Sequence, residues 1–146
     1  MVSIEKITEK FRRLDEFLAI LKGMQSTPLD TFLKDKILIG SAKYYLQVSI
    51  ECCLDVANHI IASENFRAPQ DYADAFKVLD ENGLVDPEEG IKLRQMAKFR
   101  NRLVHLYGEI DDAYVHNFIL NNLQDILNFV SAIATKFLPL FEEKGR

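Results

Sequence analysis

A chain of 146 residues with a net charge of −4, 48% hydrophobic and 27% charged, is long enough for one domain and too apolar for a disordered segment. No window reaches about 18 consecutive apolar residues, which excludes a membrane-spanning helix, and the opening MVSIEKITEKFRRLDEF mixes charges where a secretory leader needs an apolar stretch. The only cysteines, Cys52 and Cys53, are adjacent. Helical neighbours point about 100° apart, so two reduced thiols in a cytoplasmic protein are expected.

Gly and Pro are scarce and fall where helix ends belong, dividing the chain into five helices over 3–24, 28–63, 69–81, 87–107 and 112–138. The first carries Ile4, Ile7, Phe11, Leu14, Leu18 and Leu21 at three- and four-residue steps, one apolar face of a helix. The second opens on Thr27-Pro28-Leu29-Asp30, which reads as a cap, a proline in the first turn and an early acid. On it Glu51, Asp55 and His59 form one stripe at i, i+4 and i+8. A divalent metal is one reading of that row, but a four-helix metal site needs a second such row and none is present. The reading preferred is that Glu51 or Asp55 faces inward and anchors an arginine. Cys52 and Cys53 lie among apolar residues and are read as packing, and of the adjacent Tyr44 and Tyr45 one is a candidate for a subunit interface.

The third helix stops at Asn82-Gly83, where glycine takes the left-handed conformation cheaply. The fourth begins with Asp86-Pro87-Glu88-Glu89 and stops at Tyr107-Gly108. The fifth is the most periodic, through Phe118, Ile119, Leu123, Ile126, Leu127, Val130, Ile133, Ala134 and Phe137. His116, near its start, has no acidic or cysteine cluster beside it and is read as a surface histidine. Nothing alternates for long enough to make a strand. The fold class expected is all-α, an up-and-down bundle of about five helices forming one domain over 1–146.

Charge is unevenly placed. Lys92, Arg94, Lys98, Arg100 and Arg102 lie between Gly90 and Gly108 with no acid among them, whereas the rest of the chain has 13 basic against 22 acidic residues, a net of −9. A solvated helix face paired to acids on other helices is the ordinary explanation; phosphate is the functional one. The run Arg100-Asn101-Arg102-Leu103-Val104-His105-Leu106-Tyr107 favours phosphate. Imidazole exchanges protons near neutrality, and guanidinium presents a charged donor fork. Together they can move the protons of a 2′-hydroxyl attack and stabilise the charge on phosphorus. On an ideal helix Arg100 and His105 lie about 140° apart, and Arg102 and His105 about 60°. Either the last turn unwinds near Gly108, or a second subunit completes a site shared across a two-fold axis; the shared site is preferred. Arg102 is the alternative phosphate ligand. No Gly-rich phosphate loop, nucleophile elbow or zinc spacing is present, so neither a cofactor nor a metal is expected.

Arg100-x4-His105-x-Tyr107 resembles the Arg-x4–6-His signature of the HEPN superfamily, and its His-x-Tyr extension resembles the HepT toxin branch. Tyr45–Glu51, Asp55–Ile61 and Tyr72–Phe76 are similar to that family at comparable positions, so the resemblance covers nearly the whole chain. It implies an all-helical toxin that cleaves RNA as a homodimer without a metal, with Arg100 and His105 catalytic and Asn101 supporting. It also implies an MntA-like nucleotidyltransferase antitoxin that adenylylates Tyr107, setting a bulky anion beside Arg100 and His105. The rival expectation is a non-catalytic helical module that binds and regulates a nucleotidyltransferase.

Overall fold

A computed structural model describes the backbone of residues 1–105 and 109–144, and the side chains of these as far as Leu138. Among the described residues there are seven α-helices and no strand: α1 (Ile4–Gly23), α2 (Leu29–Lys34), α3 (Lys36–Ser63), α4 (Tyr72–Glu81), α5 (Pro87–His105), α6 (Asp112–Asn121) and α7 (Leu123–Lys144). The all-α expectation holds, but two of the five expected helices are each divided. Asp35 leaves helical geometry (φ −106°, ψ 93°) and its side chain caps α3 by accepting from the Leu38 amide at 3.0 Å. Asn122 ends α6, and its amide donates to Asp125 Oδ2 at the start of α7. In both places a short polar side chain competes with the helix for backbone partners. Pro28 precedes the first turn of α2, whereas Pro87 opens α5. Gly83 adopts φ +74° at the α4 stop. The expected stop at Tyr107-Gly108 lies outside the described residues.

The long α3 is the centre, packing against α1, α4 and α5 and touching α2, α6 and α7. Its pairing with α1 is antiparallel: Ser3 meets His59, Lys10 meets Asp55, and Phe17 meets Tyr45, so one numbering climbs as the other falls. Edge-to-face contacts of Phe129 with Phe11 (6.5 Å) and Phe76 (5.6 Å) join α7 to α1 and α4. Phe99 stacks on Phe118 at 4.9 Å and joins α5 to α6. Gly90 allows the close approach of α5 to α4, since a Cβ there would lie 3.1 Å from Asp80 Oδ2.

His116 is not on the surface. It is buried, its Nε2 lies 2.7 Å from the Thr27 carbonyl, and its ring packs 5.1 Å from Phe32. The partner is 89 residues away in sequence, so nothing near His116 could have signalled it. With the Gln25 side chain donating to the Ile119 carbonyl at 2.9 Å, it ties α6 to the turn after α1. Both cysteines are buried and unpaired; burial pushes the Cys53 thiol far up, and that of Cys52 up as well.

Candidate active site

Helix α5 stays regular through His105, so Arg100 and His105 keep their separation of about 140° around its axis. The turn between them is helical, and the alternative of unwinding near Gly108 lies outside the described residues. Arg100 points into the bundle and is only 15% exposed, while His105 and Arg102 are exposed. The guanidinium of Arg102 lies 5.7 Å from the Tyr114 ring, on the other side of α5 from Arg100.

Arg100 is held on three sides. Its Nε and Nη2 donate to Glu51 Oε1 at 3.2 and 2.9 Å, Nη1 donates to Asn101 Oδ1 at 3.2 Å, and Cζ lies 4.9 Å from the centroid of Tyr72. Glu51 Oε1 also accepts from Gln47 Nε2 at 3.0 Å, which fixes the carboxylate. Three of the five guanidinium N–H groups are thus used, and two are left to meet an anion. Gln47 and Tyr72 stand in stretches that carry the family resemblance, but neither has a role assigned from the sequence. Gln47 is one turn before Glu51 and could have been found from that spacing; Tyr72 comes from another helix and leaves no such trace.

Asp55 is not brought to this site. One turn beyond Glu51, about 6 Å along α3, it faces α1 and pairs with Lys10 at 2.7 Å with 54% of its side chain exposed. His59, a further turn on, accepts the Ser3 amide on Nε2 at 2.9 Å. Burial, then the nearby Lys6 and N-terminal charges, lower its pKa. The three residues of the stripe therefore take three different partners, and among the described residues no group of three His, Cys, Asp or Glu could hold a metal. Tyr107 lies outside the described residues.

The segment leading into Tyr72 is fixed by charge. Arg67 donates to both oxygens of Asp74 (2.8 and 2.9 Å) and both of Glu81 (2.8 and 3.0 Å), and the Gln70 amide donates to Asp74 Oδ2 at 2.9 Å. The Arg67 hydrogen bonds first, then the Gln70 amide, hold the Asp74 carboxyl well below the usual carboxylate range. A carboxyl whose pKa is lower folded than unfolded anchors fully above the ordinary value, about 4, and loses its grip as pH falls further. Amide exchange at Gln70, corrected for intrinsic rate, should hold steady from pH 7 to about 4 and quicken below. In Arg67→Ala it should already be fast at pH 7.

The family model described as HepT-like, ribonuclease HepT-like, matches residues 6–133. The mRNA nuclease HepT of Shewanella oneidensis is 32% identical over 102 residues, 70% of this chain and 77% of its own. The tRNA nuclease HepT of Aphanizomenon flos-aquae is 26% identical over 145 residues, 98% of this chain and 99% of its own. The solved structure of the tri-AMPylated HEPN toxin of Shewanella oneidensis in complex with MNT antitoxin is similar with a TM-score of 0.84 at 26% identity, covering 91% of this chain and 99% of that one. No described helix is long and apolar enough to cross a membrane.

Proposed function

Because the chain belongs to the HepT-like ribonuclease family, we propose that it is the toxin of a toxin–antitoxin pair, a cytoplasmic endoribonuclease that cleaves RNA as a homodimer and without a metal. Arg100 binds and neutralises the scissile phosphate through its two uncommitted N–H groups. His105 accepts the 2′-hydroxyl proton and, once protonated, returns a proton to the leaving 5′-oxygen. The 2′-oxygen bonds to phosphorus as the bond to the 5′-oxygen breaks, giving a 2′,3′-cyclic phosphate and a 5′-hydroxyl. Asn101 steadies Arg100, and Arg102 adds charge that draws the RNA in.

The observation that carries this reading is the disposition of α5, with Arg100 inward on Glu51 and His105 outward and exposed. Opposite faces of one helix cannot meet a single phosphate, whereas two copies about a two-fold axis can place Arg100 of one against His105 of the other. An MntA-like nucleotidyltransferase antitoxin then silences the protein by adenylylating Tyr107, adding an anion that competes for the arginine.

Expression in cells tests both parts. The chain alone should arrest growth, and His105→Ala should lift the arrest. The purified protein should cut RNA equally with and without EDTA, and co-expression with the nucleotidyltransferase should add AMP to Tyr107 by mass spectrometry. Harmless expression of the intact chain would favour the non-catalytic module, and strict dependence on added Mg²⁺ would exclude the mechanism.

A further inference from the structure

A groove of about 320 Å³ opens beside Arg100, lined by Asn58 of α3, Pro69, Gln70 and Asp71 before α4, Tyr72, and Asn101 of α5. It shares two walls with the arginine: the Tyr72 ring under the guanidinium and the Asn101 amide bonded to it. No cation lines it, and Asp71 places a carboxylate at its rim, so it suits a neutral group attached to a phosphate rather than the phosphate itself. An aromatic face with three side-chain amides and one carboxylate is the chemistry that recognises a nucleobase, by stacking and by its hydrogen-bonding edge.

The polar atoms left over are specific. Asn101 Oδ1 is taken by Arg100, which leaves its Nδ2 to donate. Asp71 Oδ1 caps α4 by accepting the Asp74 amide at 2.7 Å, which leaves Oδ2 to accept. The side chains of Asn58 and Gln70 line the same groove and add two further amides that can donate or accept. Donation from an amide and acceptance by a carboxylate match guanine, whose O6 accepts while its adjacent N1–H and N2 amino group donate as a pair. The Arg67 anchor holds Gln70 and Asp71 in place beforehand, so little ordering is left for the ligand to induce.

We propose that this groove is a base subsite that holds guanine in the nucleotide whose phosphate Arg100 receives; it deepens the nuclease reading and rests on it. The nucleotide could come from substrate RNA or from the AMP of the modified protein, and guanine preference assigns it to RNA. The four nucleoside 3′-monophosphates and 5′-AMP, titrated calorimetrically against the unmodified His105→Ala protein, test it without turnover. Guanosine 3′-monophosphate should bind at least tenfold tighter than the others. Asp71→Asn, which keeps a good cap, should erase that margin; Tyr72→Ala should weaken all ligands, and Tyr72→Phe should restore them. Wild-type cuts in mixed-sequence RNA should then adjoin guanine. Equal affinities, tightest binding of 5′-AMP, or a margin untouched by Asp71→Asn would each overturn the proposal. Selective guanosine binding by a protein that never cleaves RNA would sink the nuclease and leave the subsite standing.

Discussion

Dimers reassembled from a mixture of Arg100→Ala and His105→Ala chains should regain about a quarter of the wild-type cleavage rate. Half of the dimers are then mixed, and each mixed dimer has one of its two shared sites complete. Either variant alone should lose about 10²- to 10⁴-fold, the usual contribution of a general acid–base group or of a preorganised charge. The expectation follows from the regular course of α5 through His105, which leaves Arg100 and His105 on different faces of the same cylinder. Cleavage assays on the refolded mixture decide it. Sites confined to one chain would leave every dimer dead at any mixing ratio.

Glu51→Ala should be the second severe change, in stability and turnover together. It removes the one carboxylate that, among the described residues, is bonded to a guanidinium 15% exposed, leaving a charge that cannot easily rehydrate and that no longer faces a fixed direction. A loss of about 1–3 kcal/mol by denaturant unfolding is expected, below the cost of breaking a fully buried pair because Glu51 is 32% exposed. Cleavage should fall more than tenfold with kcat carrying most of the loss, and Glu51→Gln, which keeps an acceptor oxygen, should fall between. Asp55→Ala serves as the control. Its pair with Lys10 is a surface one, worth under about 1 kcal/mol, and cleavage should not change.

What the sequence made legible was whatever is local. The apolar stripe of α1, the Gly83 stop and the α5 start at Pro87 depend on neighbours within a few positions. So does the phase difference between Arg100 and His105, which follows from their spacing alone. The breaks at Asp35 and Asn122 were missed because apolar residues continue across them, and only the caps reveal that the backbone turns. Glu51 and Asp55 were indistinguishable on one stripe. Which of them meets an arginine depends on how far along α3 the helices α1 and α5 cross it, a tertiary quantity. His116 and Tyr72 were hidden for the same reason, each finding its partner across the fold.

Arg67 fastens the segment before α4 from outside, and Phe66 is the one apolar side chain between Ile61 and Ala73 that packs, partly buried, against the core among the described residues. A stretch moored by surface charge and a single partly buried ring can change its exposed residues while the bundle, Arg100 and His105 stay as they are. On the proposed reading, bond-breaking and base choice are thereby separable, since a handful of exposed positions can alter the groove without touching Arg100 or His105.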